Sequence, residues 1–177
     1  MDKIEIPQQF DEILSCIRTA KSRVFSAANA ELIFLYWRIG QYISKRLSSE
    51  EWGQKTVEQL AEYIRAQEPG IKGFERRNLY RMRQFYETYP DFQIVSPVVT
   101  QLSWSNNLII LSRCKSEEER SFYLNLAVAE RYSKRELERQ INSSVFERTL
   151  LADKKISGAN RKLPEAARGV FKDAYIF

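Results

Sequence analysis

The sequence predicts a mainly α-helical domain that contains a helix-turn-helix-like unit and one short extended or β-like segment. The 177 residues are 44% hydrophobic and 12% aromatic, which is enough apolar surface to build a core. Only 6 Gly and 5 Pro are present, so tight turns are few and long helices are favoured over a sandwich of short strands. We expect residues 1–152 to form the helical domain and residues 153–177 to form a polar linker.

The residue inventory excludes several kinds of site. Histidine is absent, and the two cysteines, Cys16 and Cys114, have no metal-ligand spacing. A Cys2His2 zinc site, a Ser-His-Asp triad and a Cys-His dyad are therefore excluded. We expect no metal, no cofactor and no catalytic residue in this chain. The low cysteine content, the lack of a signal-peptide pattern and the lack of any apolar run near about 18 residues predict no membrane segment and a cytoplasmic location.

Residues 8–47 are predicted to form one long helix or two stacked helices. Two groups of apolar residues recur there at helical spacing, which indicates helix. The groups are Ile13, Cys16, Ile17 and Ala20, followed by Leu32, Leu35, Tyr36, Ile39 and Ile43. Aromatic residues at such spacing are typical of a core, so we expect Trp37, Trp52 and Trp104 to be packing anchors.

Two shorter helices are predicted after a break at residues 48–53. In the first, Thr56 and Gln59 have the pattern of a capping box. Its apolar face consists of Val57, Leu60, Ala61 and Ile64. The stretch "EPGIKG" ends this helix, and the second begins near Phe74 or Glu75 and ends near Tyr89. A capped helix, a short glycine-containing turn and an arginine-rich helix indicate a helix-turn-helix-like unit near residues 55–89, with a plain helical hairpin as the alternative.

The chain from residue 91 to residue 152 contains one β-like stretch and further helices. Residues 91–102, "DFQIVSPVVTQL", are rich in Val and Ile, which predicts an extended loop or a short hairpin. A short apolar helix is expected from Ser103 to about Leu111. Ser116, followed by three glutamates, and Ser133, with Glu136 three residues later, have the N-cap patterns of two more helices.

The helix predicted at residues 75–89 separates apolar residues from basic ones. On a helical wheel, the face that we expect to be buried carries Leu79, Met82, Phe85, Tyr86 and Tyr89. The opposite half carries the candidate DNA-binding residues Arg76, Arg77, Tyr80, Arg81, Arg83 and Gln84, with Lys72 in the preceding turn. Residues 70–90 hold five basic and two acidic residues, a net charge of +3, whereas the whole chain has +5.

Two interpretations of this basic face are open. Surface helices need polar outer faces, and arginine is a good helix former. However, a solubilising face usually alternates Glu and Lys at i, i+4, whereas here only Arg83 has such a partner, Glu87. A polyanion would relieve the repulsion between unpaired arginines, which would contact phosphates or guanine edges. Gln84 would then pair with adenine and Tyr80 would stack or bond to phosphate, whereas Asn78, at the border of the core face, would make a cap or core-edge hydrogen bond.

A second basic cluster lies at the start of the last predicted helix. It consists of Arg131, Lys134, Arg135 and Arg139. Three glutamates are interleaved with these residues, so a solvated, self-paired face is expected, with additional nucleic-acid backbone contacts as the secondary interpretation.

Several sequence blocks, taken in order, resemble a known family. The blocks are "ELIFLYWRIGQYI", "WGQKTVEQLAEYI", "GFERRNLYRMRQFY", "QLSWSNNLIIL" and "FYLNLAVAERYSKRELERQI". Together they resemble the N-terminal domain of bacterial YhcG-type proteins over about residues 10–177. The resemblance implies a helical domain, proposed to bind DNA through a helix-turn-helix, that precedes a nuclease domain of the PD-(D/E)XK superfamily. The final "FKDAYIF" is similar to the junction where that nuclease domain begins, which usually has Pro in place of Ala174.

Two features depart from that family pattern. Many relatives have a histidine within the "QLSWSNN" block, where this chain has Asn106. A PD-(D/E)XK site also needs acidic residues on adjacent strands and a lysine to hold a divalent metal, and no pair of predicted strands carries that set. We therefore expect residues 153–177 to lead toward a nuclease domain that this sequence lacks, and we expect no cleavage by this chain.

These observations predict a non-catalytic domain that targets a bacterial nuclease to duplex DNA through its arginine-rich helix. The alternative is a helical protein-interaction or dimerisation module, with the arginines facing an acidic partner and aromatic residues in the interface core. The two interpretations are compatible, because helix-turn-helix proteins often bind DNA as homodimers.

Overall fold

The computed structural model describes residues 6–49, 52–53, 55–91 and 97–151, which are mainly helical. The helices of nine residues or more in these ranges are α1 (Ile6–Ser48), α2 (Thr56–Gln67), α3 (Arg76–Thr88), α4 (Trp104–Arg113), α5 (Glu117–Ala129) and α6 (Lys134–Asn142). Residues 97–99 and 145–151 are also helical, and no strand occurs in the described ranges. The predicted mainly α fold is confirmed. The linker predicted at residues 153–177 lies outside the described residues.

Helix α1 is a single helix of 43 residues, but only its second half belongs to the core. Asn29 marks the division, because its Nδ2 donates hydrogen bonds to the carbonyl oxygens of Thr100, at 2.7 Å, and Leu102, at 2.9 Å. Every residue from 10 to 28 is exposed. The first of the two predicted alternatives, one long helix, is confirmed, but its first apolar group lies outside the core, with Ile13 and Ile17 58% and 45% exposed. Helical spacing correctly indicated an apolar face, but no described element of the domain covers it.

The second half of α1 packs against α3, and the two helices cross at Gly40. A Cβ atom at this position would lie 2.0 Å from the carbonyl oxygen of Met82, so the α3 backbone lies directly on the glycine. Beside the crossing, Ser44 Oγ donates to Glu87 Oε1 at 2.8 Å and Trp37 Nε1 donates to the Tyr89 carbonyl oxygen at 2.7 Å. These contacts fix the position of α3 on α1.

The core consists of two clusters that Trp104 connects. One cluster lies between α1, α2 and α3, and the other includes α4, α5 and α6. The Trp104 ring lies 4.8 Å from the ring of Tyr36 in the first cluster and 5.2 Å from the ring of Phe85 in the second, between centroids. The predicted anchoring role of Trp104 is thus confirmed.

Helices α4, α5 and α6 begin at side-chain caps. The hydroxyl oxygens of Ser103, Ser116 and Ser133 accept hydrogen bonds from the backbone three residues later, as the sequence predicted for Ser116 and Ser133. Cys114, which ends α4, is buried, and burial together with nearby Glu119 raises the pKa of its thiol to about 12. This thiol therefore remains protonated and serves as a packing group.

Two local predictions are wrong. Residues 97–99 are helical and not extended, and Gln101 Nε2 donates a hydrogen bond to the Pro97 carbonyl oxygen one turn earlier. Residues 92–96 of the same predicted segment lie outside the described residues. Thr56 does not cap α2, since the capping position is Lys55, which makes no side-chain capping hydrogen bond.

The packing at Gly40 predicts a large effect of a single methyl group. We expect Gly40→Ala to destabilise the fold by about 3 kcal/mol, because the added Cβ must displace the α3 backbone and not merely a flexible side chain. Urea unfolding followed by far-UV circular dichroism measures the change. Gly70→Ala is the matched control, because nothing lies within 4 Å of a Cβ there, and its stability should change by less than about 0.5 kcal/mol. Equal stability of the two variants would contradict the crossing geometry.

Candidate nucleic-acid interface

Helix α3 has most of the buried and exposed faces that the sequence predicted, but Tyr86 of the predicted core face is only half-buried, and Tyr80 of the predicted basic face packs against the first core cluster. Leu79, Met82 and Phe85 are fully buried, and Tyr89, at the end of the helix, is 7% exposed. On the outer face, Arg76, Arg77 and Gln84 are exposed, whereas Tyr80, Arg81 and Arg83 are half-buried. Lys72 is exposed in the connection before the helix.

The arginines of α3 form two edges that differ in their pairing. Arg76 and Arg83 are seven residues apart and therefore share one edge of the helix. Arg83 Nε lies 2.7 Å from Glu87 Oε1, the carboxylate oxygen that also accepts from Ser44. Arg76 Nε lies 4.0 Å from Glu58 Oε1 of α2, and its guanidinium carbon lies 5.6 Å from the ring centroid of Tyr80. This edge is thus partly neutralised by carboxylates within the domain.

The second edge carries Arg77, Arg81 and Gln84, spaced at i, i+4 and i+7. Within the described part of the chain, neither Arg77 nor Arg81 makes an ion pair. The structure therefore brings together two unpaired guanidinium groups and one amide along a single line of the helix. Such a line offers donors to phosphate oxygens and to base edges.

The side of α3 that faces α2 carries both acidic and basic residues. Glu58, Glu62 and Glu75 line the groove between the two helices, together with Arg65 and Arg76. Residues 68–75 connect α2 to α3, which is longer than the three- or four-residue turn of a helix-turn-helix. The Arg77–Arg81 edge is accordingly the more electropositive part of α3.

Asn78 holds the start of α3 in place. Its Oδ1 accepts a 2.9 Å hydrogen bond from Trp104 Nε1, and its Nδ2 donates to the Gly73 carbonyl oxygen. Gly73 has a φ of +90°, and a Cβ there would lie 3.3 Å from the Tyr36 hydroxyl. Burial, and secondly the charge of Glu75, raise the pKa of Tyr36, so its phenol stays neutral beneath this turn. Asn78 therefore makes the core-edge hydrogen bonds that the sequence predicted.

The second basic cluster is partly self-paired. Arg139 Nη2 lies 2.6 Å from Glu136 Oε1, which also accepts from Gln140 Nε2 at 2.7 Å. These hydrogen bonds, the one from Arg139 first, lower the pKa of Glu136. Arg131, Lys134 and Arg135 are exposed, and the first two line a groove with Ser22 and Ser26 of α1. The residues that line this groove come from α1 and from around the start of α4 and the α5–α6 connection, and none of them belongs to α3.

A family model described as the DUF1016 N-terminal domain matches residues 12–148. The chain belongs to the DUF1016 N-terminal domain family. This is the N-terminal domain of the YhcG-type family that the sequence blocks resemble, and no nuclease domain is detected in the chain. No curated protein and no solved structure matches the chain.

The DUF1016 N-terminal domain match includes all of the candidate interface. It begins within α1 and covers α2 to α6, so the crossing at Gly40 and the arginines of α3 are part of the domain. Among the described residues, no group of three or more Cys, Asp or Glu side chains is arranged to hold a metal ion. No helix in the described ranges is long and apolar enough to cross a membrane.

The position of Asn78 predicts a role in stability. We expect Asn78→Ala to lower the free energy of unfolding by about 2 kcal/mol, because it leaves Trp104 Nε1 and the Gly73 carbonyl oxygen without their partner. Thermal unfolding measures this loss. Asn125→Ala serves as the control, since Asn125 is exposed and bonds only to Ser121 one turn earlier. A fully stable Asn78→Ala protein would show that the amide does not hold α3.

Proposed function

We propose that this DUF1016 N-terminal domain binds duplex DNA through α3, as the targeting part of a bacterial PD-(D/E)XK nuclease acting in the cytoplasm. The observation that carries the proposal is the unpaired Arg77–Arg81 edge on a helix fixed by the Gly40 crossing. Unpaired guanidinium groups on a rigid helix are suited to a polyanion, because the side chains need no internal partner to be broken first.

Arg77 and Arg81 would provide most of the binding energy by neutralising phosphates. With α3 in the major groove, either guanidinium group also fits the two acceptors of guanine, and Gln84 fits adenine. Tyr80 and Lys72, on the outer face and in the preceding connection, would add phosphate contacts. Arg76 and Arg83 would contribute less, because Glu58 and Glu87 compete with phosphate for them.

The chain alone would bind DNA without cleaving it. The family match is to an N-terminal domain, and the PD-(D/E)XK chemistry that the family resemblance implies belongs to a separate domain. Incubation of duplex DNA with the purified chain and magnesium tests this part of the proposal, and cleavage by the chain would refute it.

Replacement of the two unpaired arginines by alanine tests the proposed interface. We expect Arg77→Ala with Arg81→Ala to weaken duplex binding roughly 10- to 100-fold, because two phosphate contacts are lost. Fluorescence anisotropy at several salt concentrations measures both affinity and its salt dependence. The wild-type chain, with roughly four phosphate contacts, should lose about a hundredfold in affinity for a fourfold rise in salt. The double variant should have a slope lower by about 0.9 for each contact removed.

Two other double variants control for charge. Arg38→Ala with Lys45→Ala also removes two exposed cations, but from the face of α1 opposite α3, and should leave affinity nearly unchanged. Arg76→Ala with Arg83→Ala should have a smaller effect than loss of Arg77 and Arg81. Equal losses in all three variants would indicate binding by net charge alone. If the wild-type chain does not bind duplex DNA, the result would favour an acidic protein partner for these arginines.

A further inference from the structure

The first half of α1 carries an apolar stripe that no described part of the domain covers. Phe10, Ile13, Ile17 and Val24 are 59%, 58%, 45% and 68% exposed. The exposed segment, residues 10–28, is roughly 28 Å long at the rise of an α-helix. Scattered apolar residues on a surface are ordinary, but a continuous stripe of this length indicates an interaction surface.

The stripe has the period of a coiled coil. Its residues occupy alternating three- and four-residue steps, as the a and d positions of a heptad do. The a positions are Phe10, Ile17 and Val24, and the d positions are Ile13, Ala20 and Ala27. A seven-residue apolar repeat matches another helix of the same repeat, because the a and d side chains of one helix fill the spaces of the other.

The stripe lies on the side of α1 that faces away from α3. Val24 is sixteen residues before Gly40 and Ile17 is twenty-three, which places them roughly 160° and 140° from Gly40 around the helix at about 100° per residue. Tyr42 continues the same side within the packed half of α1 and is 52% exposed. A partner on this stripe would therefore leave the arginines of α3 uncovered.

We propose that the stripe binds the same stripe of a second copy of this chain, in an antiparallel two-helix arrangement. This inference goes beyond the proposed function and depends on different residues. In an antiparallel pair the a positions of one helix face the d positions of the other. The layers then pair Phe10 with Ala27, Ile17 with Ala20 and Ile13 with Val24 of the second copy.

The layer composition favours this orientation over a parallel one. Antiparallel pairing sets a large side chain against a small one in two of the three layer types, so the distance between helices stays even. Parallel pairing would stack Phe10 on its own copy and leave Ala20 and Ala27 facing alanines, with a void between them.

The charged residues of the exposed segment also favour the antiparallel orientation. Asp11 and Glu12 lie near its beginning, and Arg18, Lys21 and Arg23 lie in its middle and second part. An antiparallel pair brings the acidic turn of one copy within about one helical turn of Arg23 of the other. A parallel pair would instead place the three basic residues of both copies at the same height along the pair.

The area of the stripe fits a modest homodimer. The four large side chains of the stripe, with Leu14 beside them, are about half exposed, which corresponds to on the order of 500 Å² per copy. The total of about 1,000 Å² is at the lower limit of specific interfaces. We expect a dimer that dissociates with a Kd in roughly the micromolar range.

Sedimentation equilibrium of the full chain tests the dimer. The wild-type chain should be dimeric at roughly 100 µM. Ile13→Glu with Ile17→Glu should make it monomeric with unchanged helical circular dichroism, because both side chains are exposed in the single copy. Ser15→Glu with Thr19→Glu adds the same charge on the opposite side of α1 and should stay dimeric. A monomeric wild-type chain, or a dimer that persists in the Ile13 and Ile17 variant, would overturn the proposal.

Disulfide trapping tests the orientation. Cys16 is exposed and flanks the stripe, and in the antiparallel register it lies beside position 23 of the second copy. Arg23→Cys should therefore give a disulfide-linked dimer in oxidised glutathione, and the further change Cys16→Ser should abolish it. In a parallel register Cys16 lies beside position 21, so faster trapping in Lys21→Cys would overturn the antiparallel arrangement. DNA affinity in the Ile13 and Ile17 variant separates this proposal from the role of α3, because Arg77 and Arg81 are unchanged.

Discussion

The contact of two helix backbones at Gly40 determines the arrangement of the DNA-binding candidate. Any side chain at this position would overlap the Met82 carbonyl group, so glycine allows α3 to lie closer to α1 than ordinary side chains permit. The Ser44–Glu87 and Trp37–Tyr89 hydrogen bonds then prevent α3 from rotating about the crossing point. With the apolar face of α3 held inward, its basic face must point away from α1.

Trp104 extends this constraint to the rest of the domain. Its ring contacts the rings of Tyr36 and Phe85, and its indole N–H bonds to Asn78. The start of α4 is thereby tied to the start of α3, so a shift of one helix disturbs both core clusters. The candidate interface consequently lies on a rigid element, which lowers the conformational entropy lost on binding.

The sequence predicted which residues of α3 are buried better than it predicted the contacts between α3 and the neighbouring helices. Leu79, Met82 and Phe85 are buried as expected, because helical spacing states which residues share a face. The same spacing in Ile13 and Ile17 indicated a helix but not the exposure of this face, since spacing does not state which element, if any, covers a face. The pairing of Arg76 with Glu58 and the role of Gly40 depend on how α1, α2 and α3 are placed in space. Neither follows from local sequence, although a lone glycine within an aromatic helix is a signal of close helix packing.

Net charge alone is therefore a poor measure of how many arginines of the basic helix are available to a polyanion. The net charge of +3 at residues 70–90 counts Arg83 in the same way as Arg77 and Arg81, although Arg83 is paired with Glu87 within the domain.

The position of the exposed α1 stripe relative to α3 is a second constraint. The stripe and the basic face of α3 lie on opposite sides of the Gly40 crossing. In a dimer formed through that stripe, the two α3 helices would point away from each other. Helix-turn-helix dimers instead present both recognition helices to one face of a duplex at a spacing of about one helical turn. The proposed dimer and the proposed role of α3, taken together, would place two separate DNA segments on opposite sides of the pair.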